Sequence, residues 1–174
     1  MLTEEQKQLV KDTVPVLKES GVALTDYFYK RMLRNNPHLK EVFNMGHQRS
    51  GAQAKALAGA VLAYAENIDD PGVLAPVIEL IVHKHVSLNI KAPDYNIVGE
   101  NLLHSISEVL SVPMEDPLIG AWEAAYQDLA GIFIEAEKKL YDEHRSTPGS
   151  WLGWRRFTVS RKVKESEEIT SFYL

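Results

Sequence analysis

From residue 3 to about residue 143 the apolar side chains return at every third or fourth position, the spacing of one face of an α-helix, and this periodicity restricts the fold most. Thr3 and Gln6 form a capping-box pair, after which Leu9, Val10, Thr13, Val16 and Leu17 share a face. Gly21 is expected to break or bend that helix, and Leu24, Thr25, Phe28, Tyr29, Met32 and Leu33 mark a second one. Asn35-Asn36-Pro37 opens a short helix ending near Phe43, Asn44-Met45-Gly46 reads as loop, and Ser50 is the expected cap of a helix running to about Asn67. Asp69-Asp70-Pro71-Gly72 is a strong stop. A helix with Leu74, Ile78, Ile81, His85 and Leu88 on one face then ends before Pro93. Asp94 is the expected cap of the next helix, with Tyr95, Val98, Leu102, Ile106 and Val109 in register. Pro113 and Pro117 lead into a long last helix through Tyr141. Such a run of amphipathic helices implies an all-α domain.

The pattern changes after Ser146-Thr147-Pro148-Gly149-Ser150. From Trp154 the chain reads Arg-Arg-Phe-Thr-Val-Ser-Arg-Lys-Val and then Ile-Thr-Ser-Phe-Tyr-Leu, a β-like composition with rough alternation. Two short strands do not make a sheet that is stable alone in water, so the tail is expected to begin a unit that these residues do not complete.

The 174 residues contain no Cys, which removes disulfide scaffolds, zinc ribbons, iron–sulfur clusters and thiolate-ligated haem. A formal net charge of −5 gives no electrostatic case for nucleic acid as a partner. The most basic stretch, Arg155, Arg156, Arg161, Lys162 and Lys164, is followed at once by Glu165, Glu167 and Glu168 and reads as a solvated surface strand. No apolar run reaches the roughly 18–20 residues of a transmembrane helix. The start, MLTEEQKQLVK, lacks the basic and apolar regions of a secretory signal, so a cytoplasmic location is expected.

Of the six histidines, His83 and His85 invite a metal reading, but residues two apart on a helix point to nearly opposite sides. His83 follows Glu79 by four residues on a polar face, where an exposed ion pair is expected. His85 lies within the apolar stripe of Ile78, Ile81 and Leu88, and a polar ring there needs a partner. Periodicity leaves two roles open for it, a hydrogen-bonded core histidine or a metal ligand. Other stripes also carry one polar member each: Tyr29 among Thr25, Phe28 and Met32; Gln53 ahead of Leu57, Ala60, Val61 and Tyr64; Tyr95 at the head of its helix; Glu137 behind Tyr126, Ala130 and Phe133. Each alone could be a satisfied core group. Five helices aiming polar groups inward are harder to explain by packing, because buried polar groups cost stability unless they meet one another or a ligand. The helix of Gln53 is rich in Ala and Gly, which suits either a close helix neighbour or a flat ligand.

LTDYFYKRML around Tyr29, NPHLKEVFNM through Phe43, QAKALAGAVLAYAENI from Gln53, Lys84-His85, YNIVGENLL from Tyr95 and AWEAAYQDLAGIFIEAEKKLY around Glu137 together resemble the globin of bacterial flavohaemoglobins and the related single-domain bacterial haemoglobins. The resemblance covers residues 1–146. The tail, residues 147–174, is similar to the linker and first strands of the FAD-binding reductase module of flavohaemoglobins, and it stops before that module's flavin-binding motif.

The resemblance implies a globin fold around haem b, with His85 as the iron ligand and Tyr95 and Glu137 behind it. It makes Tyr29 and Gln53 the distal polar pair, Phe43 and Leu57 apolar walls, and Lys84 a residue near the haem edge. It further implies dioxygen and nitric oxide as ligands and nitric oxide dioxygenation, nitric oxide and dioxygen giving nitrate, as the activity. Tyr29, Tyr95 and Glu137 would then be the catalytic side chains. Electrons would come from a flavin reductase, with FAD expected only in a longer protein. The alternative that the resemblance leaves is a dioxygen carrier without enzymatic activity.

Overall fold

The computed structural model describes residues 2–174, and up to Ser146 it is helical. The first helix, α1 (Glu4–Asp12), opens on the capping box: the Thr3 side chain accepts from the Gln6 N–H while the Gln6 side chain accepts from the Thr3 N–H. The break comes at Thr13 and not at Gly21. Pro15 has no N–H to continue the ladder and its ring would collide with the Lys11 carbonyl, so a new helix, α2 (Val14–Asn35), begins with Pro15 in its first turn. Gly21 lies inside α2, where a Cβ would come within 3.7 Å of the Ala58 Cβ; it marks a close helix contact, not a break.

A 3₁₀ turn at Pro37–Glu41 follows, then α3 (Met45–Arg49), which takes in Met45 and Gly46 of the expected Asn44-Met45-Gly46 loop. The Asn44 side chain caps this turn by accepting from the Gly46 and His47 N–H groups. The helix carrying Gln53, α4 (Ala52–Glu66), is entered through Gly51 at φ 72°, so the left-handed glycine is its N-cap and Ser50 is not.

After a 3₁₀ turn at Pro71–Leu74 come α5 (Ala75–Ser87), α6 (Asp94–Leu110) and α7 (Pro117–Ser146). Asp94 is the first residue of α6 with Pro93 as its cap position, and the Asp94 carboxylate ties back to the Lys91 N–H. Two strands, β1 (Arg161–Lys164) and β2 (Thr170–Tyr173), pair antiparallel with Lys162 opposite Phe172. Their basic residues lie over aromatic rings, Arg161 on Tyr173 and Lys162 on Phe172.

Packing follows the stripes. The α2 helix lies against α4 and α6, and α7 against α1, α5 and α6. The main core gathers Val10, Phe28, Met32, Tyr64, Leu102, Ile106 and Trp122, and full burial of side chains such as Phe28 or Met32 contributes roughly 1.5–3 kcal/mol each. A smaller cluster of Val82, Tyr95, Ala130 and Phe133 sits between α5, α6 and α7. Leu88, expected on the inward stripe of α5, is 52% exposed because α5 ends at Ser87 and the chain turns out of the helix there. Among the described residues no helix is long and apolar enough to cross a membrane.

Candidate functional site

Three helices bring His85, Tyr95 and Glu137 together. His85 stands near the C-terminal end of α5, Tyr95 in the first turn of α6 and Glu137 far along α7. The His85 Nδ1 lies 2.8 Å from the Glu137 Oε1 and 3.0 Å from the Tyr95 hydroxyl, and that hydroxyl donates to the same Glu137 oxygen at 2.5 Å. Glu137 is 2% exposed, so its charge depends on these two donors for stabilisation. A carboxylate only accepts, and the single proton of Tyr95 goes to it. The remaining proton of the triangle therefore belongs on Nδ1, which leaves the Nε2 lone pair available. Nε2 makes no hydrogen bond among the described residues, and the His85 side chain is 31% exposed.

The surroundings hold this triangle in place. Phe133, one turn before Glu137 on α7, packs its ring 5.6 Å from the imidazole and stacks on Tyr95. Tyr126 donates to the Tyr95 carbonyl at 2.6 Å and Tyr141 to the Ile90 carbonyl at 2.6 Å, tying both ends of the α5–α6 connection to α7. Burial, reinforced by the hydrogen bond to Glu137, pushes the Tyr95 phenol far above its ordinary value, so it remains a donor.

On α2 and α4 the other polar pair meets. Tyr29 is 7% exposed; burial pushes its phenol up to about 12, and a hydrogen bond with the Gln53 side chain pulls the other way. The Gln53 Oε1 accepts from the Gln48 side chain of α3 at 2.9 Å, which orients the amide. Phe43 stands edge-on to Tyr29 at 5.8 Å, and Leu57, one turn after Gln53, is half-buried against the main core.

Lys84 is exposed beside His85 and forms no ion pair among the described residues. His83, also exposed, makes no ion pair with Glu79: the expected exposed bridge is not formed. Phe133 reads in the sequence only as a stripe member; its place four residues before Glu137 on that stripe is the signal that sets it beside the carboxylate. Gln48 carries no such signal, because the short stretch between Gly46 and Ser50 has no periodicity to read.

A single imidazole with its second nitrogen anchored is a specific kind of metal donor. No group of three or more His, Asp or Glu among the described residues could hold an ion. A metal bound at Nε2 would need its other ligands from a non-protein source, as a macrocycle supplies. The single imidazole donor with its anchored Nδ1 therefore fits haem, whose iron His85 would hold.

The globin family model matches residues 26–133, from the turn before Tyr29 to Phe133. The chain belongs to the globin family. Among solved structures this globin is similar to a bacterial globin from Campylobacter jejuni, at 43% identity and a TM-score of 0.76, over 80% of this chain and 99% of that one. It is similar to a flavohemoglobin from Malassezia yamatoensis with bound FAD and heme, at 30% identity and a TM-score of 0.74, over 81% of this chain and 38% of that one. Curated flavohemoproteins align with all 174 residues, at 59% identity for Bordetella parapertussis and 53% for Oceanobacillus iheyensis. This globin spans 43% of the length of those two relatives.

Proposed function

We propose that this globin binds haem b through His85 and serves as the haem part of a nitric oxide dioxygenase. The observation that carries the reading is the carboxylate-anchored imidazole, His85 held by Glu137 at 2.8 Å; Tyr29, buried beside Gln53, would supply the distal donor. When bound, the haem supplies reversible dioxygen binding and the one-electron chemistry by which nitric oxide, dioxygen and one electron give nitrate.

The side chains divide that work. Glu137 accepts the Nδ1 proton's hydrogen bond, so the imidazole gains anionic character and Nε2 becomes a stronger electron donor, a push that favours oxygen activation over storage. Tyr95 fixes the carboxylate oxygen and shares the Nδ1–H, keeping the ring in one tautomer. Tyr29, with Gln53 as its neighbour, would offer its O–H to a ligand that gains negative charge, and a charge-assisted hydrogen bond of that kind contributes roughly 1.5–3 kcal/mol. Phe43, edge-on to Tyr29, and Leu57 would supply apolar walls, which suits entry of uncharged nitric oxide.

The electron would come from a flavin reductase, and Lys84, exposed beside His85, would lie near the haem edge. We read residues 1–146 as the globin unit and 147–174 as the linker and first strands of an FAD-binding module. The alignment of flavohemoproteins over all 174 residues supports this reading. It goes with a cytoplasmic location. The single-domain globin from Campylobacter jejuni, matched over 99% of its length, favours a second reading, a dioxygen carrier. Stopped-flow mixing of the dioxygen-loaded protein with nitric oxide separates the two. Stoichiometric nitrate on the millisecond scale, with turnover only when a reductase is added, supports the dioxygenase. Loss of dioxygen without nitrate refutes it.

A further inference from the structure

Tyr29 and Gln53 sit on different helices, and something must fix how those helices meet. We infer that Thr25 is a positioning residue for the distal pocket, its hydroxyl pinning the first turn of α4 to α2 and so setting where Tyr29 and Gln53 meet. This rests on the reading of Tyr29 as the distal donor.

Thr25 is 1% exposed, and its Oγ1 lies 2.7 Å from the Ala54 carbonyl and 3.1 Å from the Gly21 and Val22 carbonyls. A helical threonine ordinarily returns its one proton to the carbonyl three or four residues back. Here the shortest contact crosses to the other helix, to the carbonyl of the residue directly after Gln53. Thr25 precedes Tyr29 by one turn and shares its face. The contact continues backwards in the same order: Gly21, one turn before Thr25, meets Ala58, one turn after Ala54. Positions 21, 25 and 29 of α2 thus oppose 58, 54 and 53 of α4. Apart from the Tyr29–Gln53 pair and the exposed Lys18–Glu66 ion pair at the far end, no other polar side-chain link joins α2 and α4 among the described residues. The small residues let the helices approach but do not fix their sliding; the hydroxyl does.

The test uses haem-loaded protein with Thr25→Val and Thr25→Ser, each in the parent and in a Tyr29→Phe background. Two signals are read, the dioxygen release rate and the C–O stretching bands of the carbon monoxide adduct, which report the distal donor. Thr25→Val should speed release about three- to tenfold and shift or split the C–O band, while Thr25→Ser stays within about twofold of the parent. In the Tyr29→Phe background Thr25→Val should add nothing beyond about twofold. Should Thr25→Val not accumulate as folded protein, Thr25→Ala is read in the same way. Parent-like release and bands in Thr25→Val, or an equal effect with and without Tyr29, overturn the inference while leaving the distal-donor reading intact. If Tyr29→Phe alone leaves release unchanged, the distal-donor reading falls and this inference falls with it.

Discussion

Replacing Gly99 by alanine should destabilise this protein although alanine is the better helix former. Gly99 lies within α6, one turn after Tyr95, and a Cβ there would stand 2.5 Å from the Tyr126 Cε1 and 2.9 Å from its Cδ1. The ring has little freedom to retreat. Its hydroxyl donates to the Tyr95 carbonyl at 2.6 Å and its body packs against both core clusters. Forcing a methyl into such a site costs roughly 1–3 kcal/mol, and loosening the Tyr126 hydrogen bond about 1 kcal/mol more. The helix-propensity gain of alanine over glycine offsets about 1 kcal/mol. The net is a loss of about 1–3 kcal/mol, which at this size lowers Tm by about 2–4 °C for each kcal/mol. Guanidinium titrations of Gly99→Ala, Tyr126→Ala and the double variant measure it. In the Tyr126→Ala background the ring is gone, and Gly99→Ala should be neutral or stabilising by up to about 1 kcal/mol. A Gly99→Ala protein as stable as its parent would refute the reasoning.

Two further outcomes are expected. The Tyr29 phenol keeps its proton in the native state to about 12 while the unfolded chain releases it near 10, so its contribution is complete below pH 10 and is lost as pH rises from 10 to 12. Urea midpoints at pH 9 and pH 12 should therefore fall further in the parent than in Tyr29→Phe, by about 2–3 kcal/mol; equal falls would contradict the burial of that hydroxyl. Glu137→Gln replaces the charged acceptor of the Nδ1–H by a neutral one. The iron–histidine stretch of the ferrous haem protein should then move to lower frequency in Raman spectra, and an unchanged band would remove the electronic push from the mechanism.

His85, Tyr95, Glu137, Tyr29 and Gln53 were legible in the sequence because each is the odd polar member of an otherwise apolar stripe, and helical spacing aims all five inward. Which of them meet was not legible from spacing, since the triangle joins residues 10, 42 and 52 positions apart. The resemblance supplied that grouping. The misplaced helix break shows the limit of reading glycine alone: Gly21 tolerates the helix, whereas Pro15 cannot continue one. The α3 turn is not legible in the sequence because five residues carry too little periodicity, and only the Asn44 cap marks it. Thr25 looked like an ordinary stripe residue because its partner is a backbone carbonyl, invisible to any side-chain pattern.

Everything proposed for the site depends on the His85 imidazole as the protein's donor to haem iron. A His85→Gly protein loaded with haem, examined by Raman spectroscopy in the ferrous state before and after adding free imidazole, addresses that directly. Loss of the iron–histidine band, with a band returning once imidazole fills the gap, is the expected result. The parent band persisting unchanged in His85→Gly would contradict it and assign the iron to another ligand.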